Sequence, residues 1–146
     1  MKPKASLICL LICLTMTLLL STQAYAQEPS FSARHSYKEA LRLAEQLERP
    51  VMLFFWNIYC DACEELNQTV LSSEAVLTKL DEQFVVAWVD TLNLHNHKIL
   101  DRYKVRGTPT LIFLGSSLEE LGRSYGMPKE AFLPFLDELI PAKSDE

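Results

Sequence analysis

Two uninterrupted apolar runs constrain the fold of this chain more than any other feature of its sequence. Val51–Trp56 holds six apolar residues in succession, and residues 84–89 hold another six. A strand with one face in water alternates apolar and polar side chains, whereas a strand covered on both faces is apolar throughout. The two runs therefore predict a central sheet with other elements packed on both of its sides.

The segments around these runs carry helical periodicity or turn residues. Ser36 and Glu39 match a capping box, and apolar residues then recur at helical spacing until Pro50. The predicted elements, in chain order, are a helix within residues 36–50, strand 51–56, a helix over 60–71, a short helix capped by Ser73, strand 84–89, a helix over 94–103, strand 110–114, an antiparallel strand over 118–125, and a last helix from about Pro128. This order indicates an α/β sandwich around a mixed sheet.

Pro134 conflicts with the last predicted helix. Apolar residues from 131 to 139 keep helical spacing around it. A proline inside a helix costs about 3 kcal/mol because a backbone donor is lost. We therefore expect either a kink at Pro134 or a helix that begins later than the pattern indicates.

The first 26 residues have the layout of a secretory signal peptide. Lys2 and Lys4 precede an apolar stretch over residues 7–20, and Ala24 and Ala26 supply the small residues of a cleavage site. The stretch has 14 residues, fewer than the roughly 20 that a membrane-spanning helix requires. We expect cleavage after Ala26, export without stable membrane insertion afterwards, and a periplasmic location if the source is a Gram-negative bacterium.

The remaining 120 residues suffice for one domain with a core but not for two. We predict an N-terminal arm over residues 27–35 and a domain over residues 36–146 that acts as a monomer. Without Lys2 and Lys4, 12 basic residues remain against 19 acidic ones. This negative balance argues against nucleic acid or an anionic membrane surface as a partner.

Cleavage would also remove Cys9 and Cys13 and leave Cys60 and Cys63 as the only cysteines. Two cysteines are too few for a disulfide-stapled scaffold, and a structural zinc site needs four ligands.

If a helix begins at Cys60, its sulfur lies over unpaired backbone donors, which lower the thiol pKa below about 8.5 and favour the reactive thiolate. Cys63 is then one turn further on and more shielded. We therefore predict a redox pair with Cys60 as nucleophile and Cys63 as resolving thiol.

The order of these features resembles the thioredoxin superfamily over about residues 36–140. Residues 56–63 stand where the family has its active-site segment, residues 89–93 resemble the strand end that follows it, and residues 103–111 resemble the stretch through the cis-proline loop. The likeness is greatest to exported reductases similar to the C-terminal domain of DsbD. The resemblance implies a thioredoxin-like three-layer sandwich, with a mixed central sheet and helices on both faces.

The resemblance also implies roles for residues near the cysteine pair. The Thr108–Pro109 bond is expected to be cis and to offer backbone groups of Thr108 to an extended substrate segment. Tyr59 and Trp56 are expected to border the site, with core packing as the alternative role of Trp56. No cofactor and no metal is required. The implied partners are protein thiols or disulfides, with a membrane-bound electron donor as a further candidate.

Three residues depart from the pattern of the family. Phe54 replaces a buried acid that assists proton transfer, Tyr59 replaces a tryptophan, and Glu64 replaces a basic residue. The proton-transfer role is therefore vacant or belongs to another residue. Asp61 and Glu64, together with Glu65, place negative charge near the pair and oppose thiolate formation. We expect a comparatively stable disulfide whose reduced form donates electrons.

Two other functions remain open at the level of sequence. His95 and His97, together with the cysteine pair, are compatible with a soft-metal carrier for copper or zinc. Against it, residues two positions apart on a helix point about 200° away from each other. The second alternative is a redox-silent interaction module that keeps the fold and lacks the chemistry.

Overall fold

The computed structural model describes residues 34–140; the predicted signal peptide, residues 27–33 of the predicted arm and residues 141–146 lie outside the described part of the chain. The elements, in chain order, are helix α1 (Tyr37–Leu47), strand β1 (Val51–Trp56), helix α2 (Asp61–Leu66), a π-helical turn (Asn67–Leu71), helix α3 (Glu74–Gln83), strand β2 (Val85–Asp90), a 3₁₀ turn (Leu94–Asn96), helix α4 (His97–Arg102), strands β3 (Thr110–Leu114) and β4 (Glu120–Ser124), and helix α5 (Lys129–Leu139). Among residues 34–140, no helix is long and apolar enough to cross a membrane.

The strands form one mixed sheet in the order β2-β1-β3-β4. β1 pairs in parallel with β2, so that Trp56 lies opposite Asp90 and both strands end at the same edge of the sheet. β3 pairs antiparallel with β1 and with β4. On the outer side of β2, His35 forms a single bridge with Ala87. The predicted mixed α/β sheet is confirmed.

Helices cover both faces of the sheet, which confirms the predicted three layers. α1 and α4 pack on one face, and α2, α3 and α5 pack on the other. The core under α1 and α4 contains Ala40, Ala44, Val51, Leu53, Phe55, Val85, Ala87, Val89, Tyr103, Val105, Ile112 and Leu114. The core on the opposite face contains Met52, Phe54, Cys63, Leu66, Val70, Leu71, Val76, Leu80, Phe84, Val86, Leu111, Phe113, Phe132 and Leu136. Successive β1 residues alternate between the two cores, which explains why the run is apolar throughout.

Two predicted helix starts have different outcomes. At α1 the capping box is present, because the Ser36 hydroxyl accepts from the Glu39 N–H and the Glu39 carboxylate accepts from the Ser36 N–H. At α3 Ser73 is the N-cap residue, as predicted, but its side chain makes no capping hydrogen bond. The Ser73 hydroxyl donates instead to the carbonyl of Val70 over 2.7 Å.

The last strand is shorter than predicted. Residues 115–118 form a turn in which the Leu118 N–H donates to the Gly115 carbonyl. Leu118 adopts a φ of 62°, which lies outside the extended region. Pairing with β3 therefore begins at Glu120 rather than at Leu118.

Helix α5 spans Lys129–Leu139 with Pro134 inside it, so the alternative of a later start is wrong. Pro134 and Glu130, whose carbonyl loses its helical donor, are both exposed, and water can satisfy that carbonyl. On the opposite face Phe132 and Leu136 are fully buried. Burying two such side chains contributes about 3–6 kcal/mol, which is enough to offset the cost of one proline.

Candidate active site

The Cys60–Cys63 disulfide lies where β1 passes into α2. Cys60 is the residue just before the first helical turn, and Cys63 lies within that turn. The two sulfurs are bonded at 2.09 Å, and the two Cα atoms are 5.2 Å apart. Cys60 is half-buried, whereas Cys63 is only 3% exposed. The structure thus places one accessible and one shielded sulfur at the start of a helix.

The carbonyl oxygen and the sulfur of Cys60 both accept hydrogen bonds from backbone N–H groups of α2. The Cys60 carbonyl accepts from the N–H groups of Cys63 and Glu64 over 3.0 and 3.2 Å. The Cys63 N–H also donates to Cys60 Sγ over 3.1 Å. A donor that points at a sulfur favours its thiolate over its thiol, so this contact suits Cys60 to nucleophilic attack.

Asn57 connects the three loops that meet at the disulfide. Its amide nitrogen donates to Thr91 Oγ1 over 3.1 Å and to Thr108 Oγ1 over 3.3 Å. Its amide oxygen accepts from the Tyr59 N–H over 2.9 Å. No role of Asn57 was predicted from the sequence; the available signal was that asparagine commonly orders a tight turn through its own side chain. Thr91 and Thr108 lie 34 and 51 positions further along the chain, so the local sequence does not indicate these two contacts.

The loop before β3 lies on one side of the disulfide. The Thr108–Pro109 peptide bond is cis, and both residues are half-buried. The Thr110 hydroxyl donates to the Gly107 carbonyl over 2.7 Å and closes the loop. This loop supplies the residues that the resemblance assigned to substrate binding.

A groove of about 630 Å³ begins at Pro109 and at Ala62, the residue between the cysteines. One wall comes from α2 and the π-helical turn, and the other from residues 125–130. Its charged lining residues are Glu65, Lys129 and Glu130. The groove is thus an open, largely apolar channel that leads away from the disulfide.

A second, smaller cavity of about 200 Å³, here called the rear chamber, is lined by both cysteines. Its residues are Arg34, Phe54, Trp56, Asn57, Ile58, Cys60, Asp61, Cys63, Glu64, Asn67 and Trp88. Phe54 is 1% exposed and packs edge-on against the Trp88 ring at 4.9 Å. An aromatic pair therefore occupies the region where the resemblance implies a buried acid. Trp56 packs edge-on against Trp88 at 5.8 Å, so it borders both the site and the core.

The surface around the disulfide is acidic and partly apolar. Asp61 and Glu64 are exposed on α2, a helix whose six residues include no basic one. Tyr59 and Ile58 are 81% and 69% exposed in the turn before Cys60. Large exposed apolar side chains beside an acidic helix are typical of a surface that contacts another protein.

The histidines of the metal-carrier alternative are exposed on the 3₁₀ turn and at the start of α4. The His95 N–H donates to the side chain of Asn93. Within residues 34–140, the structure brings no three His, Cys, Asp or Glu side chains together in a group that could hold a metal ion.

Comparison with known proteins identifies the family to which this site is similar. A family described as thioredoxin-like domain matches residues 37–140. The DsbD thiol:disulfide interchange protein of Vibrio vulnificus strain YJ016 is 34% identical over 98 residues, which are 64% of this chain and 16% of that protein. Bovine protein disulfide-isomerase A5 is 28% identical over 110 residues, which are 71% of this chain and 20% of that protein. The chain thus matches a small part of each longer relative.

Solved structures agree with this assignment. A thioredoxin from Thermus thermophilus is 38% identical and superposes with a TM-score of 0.67, covering 72% of this chain and 84% of that one. The reduced C-terminal domain of DsbD from Neisseria meningitidis is 21% identical, with a TM-score of 0.61, and covers 70% of this chain and 93% of that one. The second likeness is one of fold alone.

Proposed function

Because this chain belongs to the thioredoxin-like family, we propose that it is a thiol–disulfide oxidoreductase that reduces disulfide bonds of protein partners outside the cytoplasm through Cys60 and Cys63. The observation that carries the proposal is the pairing of an accessible sulfur with a shielded one at the start of α2. An exchange reaction needs both, since one thiolate must reach the partner and the other must later displace it.

The reaction proceeds in two exchange steps. The Cys60 thiolate attacks one sulfur of the partner disulfide, a Cys60–partner bond forms, and the other partner sulfur leaves as a thiolate that takes up a proton. Cys63 then loses its proton and attacks Cys60 Sγ, which forms the Cys60–Cys63 disulfide and releases the second partner thiolate. Two electrons pass from this chain to its partner.

The partner segment is proposed to lie along Thr108 and Pro109. Extended segments bind well to an exposed backbone edge, and the residues before β3 supply such an edge beside Cys60. From Pro109 the groove of about 630 Å³ leads away and accommodates side chains that flank the partner's cysteine. Tyr59, which is largely exposed and directly precedes Cys60, supplies an aromatic contact next to the pair.

The acidic residues around the pair support electron donation rather than oxidation. Asp61 and Glu64 lie within one helical turn of Cys60, and their charges disfavour its thiolate. A thiolate that is only weakly stabilised makes the disulfide form comparatively stable and the dithiol a better reductant. A membrane-bound protein is the proposed source of electrons, and the similarity to DsbD supports that choice.

Export is part of the proposal and rests on residues 1–26. Their charged start, apolar middle and small residues support a cleaved signal peptide. An oxidising compartment also gives a disulfide reductase its substrates, because disulfides persist there.

Trapping the mixed disulfide tests the roles of the two cysteines. Reduced Cys63→Ala protein, mixed with a disulfide-bonded peptide, should accumulate a covalent adduct at Cys60 that mass spectrometry detects. Reduced Cys60→Ala protein is the control and should form almost none, because Cys63 is buried. Adducts on Cys63 alone would reverse the two roles.

Equilibration with glutathione tests the direction of electron flow. The proposal expects a reducing potential, and a value near about −120 mV, as in a strongly oxidising member of the family, would contradict it. If neither cysteine variant forms an adduct, titration of the reduced protein with copper would test the metal-carrier alternative.

A further inference from the structure

Asn67 carries a buried polar atom that has no role in the mechanism described so far. Its side-chain oxygen Oδ1 is shielded from solvent and accepts no hydrogen bond from any residue in the range 34–140. A buried acceptor left without a donor costs about 1–3 kcal/mol. Such a group in a folded protein therefore calls for a bound water or a functional reason.

Asn67 lies about one helical turn after Cys63, the resolving cysteine. Its N–H donates to the carbonyls of Cys63 and Glu64 at the end of α2. Residues four apart on a helix lie on the same face, so the side chain of Asn67 projects on the Cys63 side. Both residues line the rear chamber, together with Cys60. The π-helical turn begins at Asn67, and such turns often occur at functional sites.

The rear chamber has the size and lining of a water site. Its volume of about 200 Å³ is well above the roughly 10–15 Å³ that one water needs. The polar side chains among its lining residues include those of Asn57, Glu64 and Asn67. A water bound there needs two to four such partners.

The resolving step needs a route for one proton. Cys63 is 3% exposed, so its proton cannot pass to bulk solvent directly. Strands β1 and β2 contribute only Phe54, Trp56 and Trp88 to the chamber, and none of these accepts a proton. Among the described lining residues, the charged side chains are Arg34 before α1 and Asp61 and Glu64 on α2, and all three are exposed.

We propose that Asn67 is a positioning residue that holds, through Oδ1, a water molecule which takes the proton from Cys63 Sγ in the resolving step. The inference rests on the proposed function, since it concerns the second exchange step of that reaction. The S–H bond of Cys63 breaks, and its electron pair forms the new bond to Cys60 Sγ. The proton passes to the water and leaves at the Glu64 end of the chamber, while the partner sulfur departs as a thiolate. Asn67 itself neither gains nor loses a proton.

The test separates the two exchange steps with oxidised glutathione as the probe. Reduced protein is mixed with the probe, the reaction is quenched with acid at successive times, and mass spectrometry follows the glutathione adduct at Cys60 as it forms and decays. The measurement is repeated as a function of pH. The rate at which the adduct forms measures the attack of Cys60 on glutathione disulfide. The rate at which the adduct decays measures the attack of Cys63 on Cys60.

Asn67→Leu removes the acceptor and keeps the approximate volume of the side chain. Decay of the adduct should be about tenfold slower at neutral pH, and the midpoint of its rate–pH curve should rise by about one unit. Formation should stay within about twofold of the wild-type rate, because water positioned at Cys63 does not serve the first step. Asn67→Asp keeps an acceptor oxygen and should retain or exceed the wild-type decay rate.

Gln83→Leu is the matched control. Gln83 also has a buried amide oxygen without a donor among the described residues, but it ends α3 and does not line the rear chamber. Its variant should leave both rates unchanged. The inference is overturned if the adduct of Asn67→Leu decays at the wild-type rate with the wild-type pH midpoint. It is also overturned if Gln83→Leu slows decay of the adduct as much as Asn67→Leu does, or if the adduct of Asn67→Asp decays as slowly as that of Asn67→Leu. A wild-type protein that forms no adduct at all would instead refute the proposed function.

Discussion

The side-chain amide of Asn57 donates a hydrogen bond to the hydroxyl of Thr108 over 3.3 Å. This contact joins the turn before Cys60 to the loop that carries Pro109. The same amide group donates to Thr91 at the end of β2. One side chain thus holds three loops from different strands, and the distance between the reactive sulfur and the proposed substrate edge depends on it.

Replacement of Asn57 by alanine should therefore impair activity more than stability. Loss of its three side-chain hydrogen bonds should lower the free energy of unfolding by about 1–2 kcal/mol. Looser positioning of Cys60 against Pro109 should lower kcat/KM for a disulfide-bonded peptide by about tenfold. Asn96→Ala is the control, because Asn96 donates to the Asp90 carbonyl without touching the turn before Cys60. An equal loss of activity in both variants would contradict a positioning role for Asn57.

Removing the acidic charges beside the pair should make the protein a weaker reductant. In the double variant Asp61→Asn, Glu64→Gln, less negative charge opposes the Cys60 thiolate, so the reduced form gains stability. The redox potential should become less negative by about 15–30 mV, the equivalent of about 0.7–1.4 kcal/mol. Glutathione equilibration measures this change, which should shrink at high salt because both residues are exposed. Glu74→Gln, on α3, should leave the potential unchanged.

Two glycine substitutions should differ in their effect on stability. A Cβ at Gly122 on β4 would come within 2.6 Å of Leu139 Cδ2 and 3.2 Å of Phe135 Cζ on α5. Gly122→Ala should therefore lower the free energy of unfolding by about 1–3 kcal/mol through overpacking. A Cβ at Gly107 meets no described atom within 4 Å, so Gly107→Ala should cost less than Gly122→Ala. Urea unfolding compares the two, and a reversed order would show that α5 adapts freely.

Tyr103 should make stability depend on pH in the alkaline range. Burial, and then the hydrogen bond with Tyr37, raise the pKa of the Tyr103 phenol above its ordinary value of 10.0. The folded state holds this proton more tightly than the unfolded state does. The contribution of Tyr103 to the free energy of unfolding is therefore complete below about pH 10 and is lost as the pH rises further. Urea unfolding of Tyr103→Phe should show a loss of about 1 kcal/mol at neutral pH and a shallower alkaline decline than the wild type.

Tyr59→Phe is the control for that experiment, since Tyr59 is largely exposed. Its unfolding free energy should follow the wild-type pH dependence. A Tyr103→Phe variant whose alkaline decline is as steep as the wild type's would assign the decline to other groups.

Much of the fold follows from local patterns in the chain. β1 and β3 have the predicted bounds, because each is a bulky apolar run between turn residues, and the α1 capping box depends on two residues three positions apart. The cysteine pair at a helix start is likewise a matter of neighbouring residues. Such features need only the alternation of a strand, the period of a helix or a short-range hydrogen bond. The start of β4 does not follow from such patterns, because the backbone angle of Leu118 has no signature in the sequence of side chains.

By itself the sequence determined the layered α/β architecture, the position of the redox pair and the absence of an acid at Phe54, because each is encoded in residues that are close along the chain. Only the tertiary structure decided that Asn57 joins three loops, and that Asn67 and Cys63 share a chamber walled by Phe54 and Trp88. The hydrogen bonds of Asn57 and the contact between Phe54 and Trp88 connect residues tens of positions apart. They arise when the sheet brings β1 and β2 side by side, and no local periodicity records which side chains then meet.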